Sequence, residues 1–256
     1  MNAAILTGKQ LFYENKSFWR NPASAFFTFA FPLMFLVIFN LIFGNNTVAR
    51  VDGEPISGST FYVPAIAAFS VVTACFTNIS ISMVFLRDEG ILKRVRGTPL
   101  PAVSYLLARI IHASVIALLL VALVTVAGAI FYDVDIPTAE LPKVILIVLV
   151  GAAAFSALGL AHTAIVPNAD AAPPVVNATI LPLLFISDVF IPLEDAPSWL
   201  LTFAKIFPIW HYAHSMLHAF DPTGLAFEDG NLLIVAAWGV AGLLLAMRFF
   251  SWEPRR

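Results

Sequence analysis

The sequence predicts an all-α polytopic membrane helix bundle with six transmembrane helices, an N-terminal amphipathic interfacial helix, and re-entrant outer helices between spans five and six. Three observations predict it. The first is composition: of 256 residues, 60% are hydrophobic and only 12% charged, with a mean hydropathy of +0.88, whereas soluble domains carry about 25% charged residues. The second is that the apolar residues fall in runs of membrane length, about 20 residues each, separated by short polar connections. The third is the placement of Lys and Arg, which alternates between connections as the positive-inside rule requires.

In chain order, residues 1–22 form the interfacial helix. Ala4, Gly8, Leu11, Phe12, Phe18 and Trp19 fall on one helical face, with Lys9, Lys16 and Arg20 along its edge, a pattern suited to lying in a membrane surface. Residues 23–86 hold spans one and two, with Pro32 a kink site in the first. The polar stretch from Gly44 to Ser59 reads as an outer loop. Residues 87–101, RDEGILKRVRGTPLP, form a charged island between apolar runs. Acids open this island and bases come after them, as a helix dipole favours, before Gly97, Pro99 and Pro101 end any helix. Residues 103–190 hold spans three to five. Residues 191–220 are too broken by Pro192, Pro197 and Pro208 for one span, yet too apolar for a solvated loop, which predicts short helices dipping into the outer leaflet. Residues 231–256 are span six and the tail. The whole chain, 1–256, is one transmembrane domain.

Charge placement orients this bundle. Lys9, Lys16, Arg20, Arg87, Lys93, Arg94, Arg96, Arg248, Arg255 and Arg256 fall on one side, against Arg50, Lys143 and Lys205 on the other. Both termini are therefore expected in the cytoplasm of a cell whose cytoplasmic (inner) membrane holds the chain. No separate soluble catalytic domain fits this length. The Walker A pattern is absent, since Thr7-Gly8-Lys9 has no earlier glycine at the required spacing, and no G-x-S-x-G or H-E-x-x-H occurs. The chain is thus not expected to be an enzyme. The single cysteine, Cys75, lies in an apolar run and cannot form an intrachain disulfide.

Two readings of the island stay open on residues alone: a ridge presented to a soluble partner, or a loop that only fixes topology. Span two carries Ser70, Thr73, Thr77 and Ser80 on one stripe, which suits either close helix packing or a translocation surface. Ala153, Ala157 and Ala161 in span four, with Gly242 and Ala246 in span six, read as packing faces by the same logic. Phe35, Phe39, Asn177, Phe185 and Asp188 join Ser70, Thr73 and Thr77 as candidate lining of a substrate pathway. His211, His214 and His218 share a helix face, but no carboxylate has ligand spacing with them, so no metal site is assigned.

The order of these parts resembles the integral-membrane permease of the ATP-binding-cassette type 2 exporter family, especially its daunorubicin-resistance-like members. The matching residues are Arg20-Asn21-Pro22, Pro32, the run from Asp88 to Leu100, the segments from Ser187 to Glu194 and from Phe207 to Ala213, and the closing Arg248 to Glu253. The resemblance departs at Phe207, where the family often has Asn, and near His214, where it often has an acid. It implies that the island is the coupling helix, seated on a separate ATPase subunit through Arg87, Asp88, Glu89, Gly90 and Leu92, then Lys93, Arg94, Arg96, Thr98 and Pro99. It implies too that the N-terminal helix touches that subunit. The expected function is export of a hydrophobic or amphipathic drug, antibiotic or lipid by ATP-driven alternating access. Expected partners are the ATP-binding-cassette ATPase, a second permease, the same or homologous, forming a dimer, and membrane lipid, with no nucleic acid. No cofactor is expected in this chain; ATP and Mg belong to the partner ATPase. Two other classes remain: an intramembrane lipid-modifying metalloenzyme using the three histidines, and a non-transporting membrane anchor for an ATPase.

Overall fold

A computed structural model describes residues 3–51, 54–193, 196–220 and 229–254. Glu194, Arg255 and Arg256, which enter the expectations from sequence, lie outside the described residues. Eleven α-helices are present among the described residues. The central ones are α3 (Gly58–Val72) and α4 (Asn78–Asp88), joined without a break by one π-helical turn, Thr73–Thr77. Around this rod stand α2 (Pro22–Phe43), α6 (Ala102–Tyr132), α7 (Leu141–His162) and α10 (Pro208–Ala219); α11 (Asp229–Phe249) packs along α7, and α8 (Ala172–Phe185) packs on α4. The short helices are α1 (Ala3–Trp19), α5 (Ile91–Arg96) and α9 (Ser198–Ala204).

Among the described residues, five helices are long and apolar enough to cross a membrane: Pro22–Phe43, Gly58–Asp88, Ala102–Tyr132, Leu141–His162 and Gly230–Phe249. The fifth expected span is shorter than its apolar run. Helix α8 has 14 residues, about 21 Å at 1.5 Å per residue against about 30 Å of hydrocarbon. Pro182 lies in its last turn, and Asp188 adopts a left-handed φ of 55°, so the chain leaves helical geometry before Phe190.

The sequence rules explain the ends well. Asn21 caps α2, its Oδ1 accepting from the Ser24 amide at 3.2 Å, and Pro22 occupies the first turn, where its missing N–H costs nothing. The helix continues through Pro32. The region from Gly44 to Ser59 is more ordered than a loop: β1 (Thr47–Val51) and β2 (Glu54–Ser57) pair antiparallel as a hairpin. The fold is therefore a helix bundle carrying one small hairpin among the described residues.

Small residues set the closest approaches. A side chain at Gly242 would meet the backbone of Leu158 and Ala157, so α11 lies directly on α7. Gly159 faces the Phe76 carbonyl of the π turn, where a Cβ would come within 2.8 Å. The packed stripe of α7 runs through Ala154, Ala157 and Ala161 rather than through Ala153, which is exposed.

Candidate functional site

The charged island lies at the end of the bundle that also gathers α1, the turn 163–171 and the C-terminal segment. Its helical part is shorter than its length in sequence. Arg87 and Asp88 complete α4; Gly90, at φ 71°, turns the chain; α5 is six residues long; and Gly97, Thr98 and Pro99 lead to α6. A left-handed φ suits glycine, which has no Cβ to clash. Leu92 is fully buried and anchors α5 to the core, while Glu89, Lys93, Arg94 and Arg96 are exposed with Gly97, Thr98 and Pro99. Arg94 folds back on its own corner, its guanidinium reaching the Glu89 carbonyl at 3.3 Å. The exposed surface is thus a basic ridge with one acid at its start.

Arg87 is not part of that ridge. It is 1% exposed and donates to the carbonyls of Thr163 at 3.0 Å, Val166 at 2.7 Å and Pro167 at 3.2 Å. Asp88, half-buried, accepts from the Ala169 amide at 2.6 Å and lies 4.0 Å from Arg87. Two helical turns earlier, Ser80 shares a hydrogen bond with His162 Nδ1, and His162 Nε2 shares one with Thr179 of α8, each at 3.0 Å. The island's root is therefore tied to the connection between α7 and α8. The sequence carries a signal for this: Ile79, Ser80, Met83, Val84 and Arg87 recur at helical spacing on the buried face.

The N-terminal helix is fixed to α6 by another charged pair, which residue spacing alone does not reveal. Glu14 meets Arg109 at 3.4 Å, and Arg109 also donates to Ser82 at 3.0 Å and to the Tyr105 hydroxyl. The face of α1 turned inward holds Thr7, Leu11, Glu14 and Phe18, while Phe12, Tyr13 and Trp19 are exposed.

The hydroxyl stripe of span two splits. Ser70 is buried and donates to Ile66 of its own helix, and Ser80 turns to His162. Thr73 and Thr77 instead border a cavity of about 370 Å³ between α2 and the π turn, lined also by Ser24, Thr28, Phe31 and Asn78. Ser70 and Ser80 lie on the buried face of the rod and Thr73 and Thr77 on the side turned to α2, so the four do not act as one stripe. Four other pathway candidates meet near the opposite end. Phe35 and Phe39 stack on Phe190, with centroids at 5.3 and 5.7 Å, Phe185 meets its edge at 5.1 Å, and Asp188 is two residues away. Asn177, exposed on α8, joins neither group.

Asp188 organises that opposite end. Its carboxylate accepts from the Leu193 amide and from the Trp210 indole at 3.0 Å, and lies 3.6 Å from His214 Nε2. His214 stacks on Trp210, and His211 sits between Asn231 at 2.6 Å and the Lys205 carbonyl at 2.8 Å. The described residues show no group of three or more potential metal ligands. Trp238, about 13 Å along α11 at 1.5 Å per residue, donates to the Ile206 carbonyl at 3.2 Å.

A bundle of membrane-length helices, with a folded basic ridge at one end and an open groove of mixed polar and apolar lining beside α2, is the architecture of a multi-pass membrane protein. The chain belongs to the ABC-2 type transporter family, whose model matches residues 11–220. It is similar to proteins named as transport permeases. One is YvfS of Bacillus subtilis (strain 168), 26% identical over 241 residues that cover 93% of this chain and 94% of that protein. Another is ycf38 of Cyanophora paradoxa, 26% identical over 255 residues, covering 93% and 85% respectively. The ycf38 permease of Porphyra purpurea is 24% identical over 222 residues, covering 86% and 75%.

Proposed function

We propose that this chain is the membrane-spanning subunit of an ATP-binding-cassette exporter that moves a hydrophobic or amphipathic substrate by alternating access, with ATP hydrolysed on a separate ATPase subunit. Six crossings are reached if the segment after α8 completes the fifth, with α9 and α10 re-entrant from the outer side. The depth of Ile206 beside Trp238 supports that arrangement. Lys and Arg placement supports cytoplasmic termini in an inner membrane.

The observation that carries the reading is the ridge itself. Glu89, Lys93, Arg94 and Arg96 are exposed on a short helix whose root is anchored by Leu92 and Arg87. A loop that only fixed topology would need charge but not such anchorage. An anchored, charged projection transmits force, and a soluble ATPase carrying ATP and Mg is the partner that family membership brings to it. The substrate cavity would be completed by a second permease, and the chamber beside Thr73 and Thr77 is the candidate for this protomer's share.

The test is co-purification of the tagged chain from its native membrane. The expected result is an ATPase at equal stoichiometry. In the doubly substituted Glu89→Ala, Arg94→Ala chain its yield should fall about tenfold, while stability of the permease stays within ~0.5 kcal/mol, as for other exposed positions. A chain recovered alone with stoichiometric zinc, or one that cleaves lipid, would replace the permease reading by a metalloenzyme. An ATPase bound and active with no nucleotide-dependent movement of a fluorescent lipid or amphipathic dye in vesicles would make it an anchor.

A further inference from the structure

The ridge has two routes into the bundle, and only one of them runs along the chain. Along the chain, α5 joins α4 through Gly90 and α6 through 97–101. Across the chain, Arg87 and Asp88 grip the turn between α7 and α8. The grip is unusual in kind: a fully buried guanidinium directs its donors to three backbone carbonyls of one turn, and the neighbouring carboxylate takes an amide of the same turn. Arg offers five N–H donors in a rigid fork, so it can hold several acceptors at fixed mutual geometry, which Lys cannot. A buried charge is costly unless so satisfied, and a topological signal needs no buried arginine at all.

We infer that Arg87 is a positioning residue that locks the turn 163–171 to the root of the ridge, so that displacement of the ridge is delivered directly to α7 and α8. The bridge from Ser80 through His162 to Thr179 is a second fastening of the same three helices, two turns further in. Helices α4, α7 and α8 therefore move together at this end. Two cytoplasmic-side connections that are separated by some 70 residues of sequence act as a single lever arm. The consequence for the transport cycle is that α8, which packs on α4, moves with the ridge. This inference rests on the ridge being the ATPase contact proposed above.

The experiment is hydrogen exchange, read by mass spectrometry, on the full chain in its co-purified ATPase complex in lipid nanodiscs, with and without a non-hydrolysable ATP analogue. In the unmodified complex, nucleotide should change exchange in 89–99 and in 163–172 together. With Arg87→Lys, exchange in 163–172 should rise about tenfold, and its response to nucleotide should vanish while that of 89–99 persists. Asp88→Asn, a milder change, should give the same pattern at about threefold. The lever is overturned if 163–172 ignores nucleotide in the unmodified complex while 89–99 responds; the ATPase contact would then stand without it. It is also overturned if Arg87→Lys accelerates exchange throughout the helices, which is a structural effect alone. If the unmodified chain retains no ATPase, the contact falls and the lever with it.

Discussion

Each end of this molecule is organised around one charged side chain, and the two use opposite chemistry. At the basic end, Arg87 donates to three carbonyls of a single turn. At the hairpin end, Asp188 accepts from a backbone amide and an indole and faces an imidazole. The difference lies in what each holds. Arg87 sets one planar guanidinium against three main-chain carbonyls of a single turn, so the joint does not depend on the rotamers of partner side chains. Asp188 binds a local loop and the side chains of α10, each of which keeps its own rotamers. On the function proposed above, a stiff joint suits the end that would meet the ATPase, and an adjustable one the end where a passage would open and close.

Removing each charge in turn, and asking which end fails, tests this contrast most severely. Arg87→Ala strips three carbonyls of charge-assisted bonds and leaves a void. We expect a loss of ~3 kcal/mol or more, since each such bond contributes about 1.5–3 kcal/mol and the effects overlap. Detergent-solubilised thermal unfolding measures the loss, and limited proteolysis should find new cuts within 163–171. Retention of normal stability would mean that water replaces the guanidinium and the joint is not stiff.

Asp188→Ala should cost less, ~2 kcal/mol, from two lost acceptor contacts and from an alanine held at positive φ, where Asp is better tolerated. Its effect should be local. Tryptophan fluorescence should report it, because the Trp210 indole loses its partner, while exchange in 163–171 stays unchanged. If the basic end loosened too, the two ends would not be separable and the contrast would fail.

Legibility in the sequence divides along a similar line. Properties that depend on long averages are plain in it: the membrane bundle, the apolar runs and the charged island. Properties that depend on one residue's direction are not. Arginine is usually surface charge, so Arg87 reads as part of the ridge, although its spacing from Met83 and Val84 places it on the buried face. Thr73 and Thr77 part from Ser70 and Ser80 although residue type is the same, because a hydroxyl serves a buried helix contact as readily as a cavity wall. The hairpin does leave one: Asp52-Gly53 between Thr47–Val51 and Glu54–Ser57 is a turn signal, but a polar stretch between two spans reads first as a connecting loop. Span five reads too long because apolarity continues past the point where Pro182 and the left-handed Asp188 end the helix.

The smallest expected effect bears on stiffness itself, because it concerns a charged pair between two side chains at the basic end. Glu14 and Arg109 meet at 3.4 Å with 14% and 16% of their side chains exposed. Arg109 keeps its bonds to Ser82 and Tyr105 when the acid is neutralised. Glu14→Gln should therefore cost only ~1 kcal/mol, near the upper end for partly solvated pairs. Salt should narrow the gap between the two proteins, since screening already weakens the native pair. The change should appear as faster exchange along α1 with 163–171 untouched. A loss as large as that of Arg87→Ala would show that side-chain pairs at this end are as stiff as backbone clamps, and that the difference between the two ends lies in burial rather than in what is held.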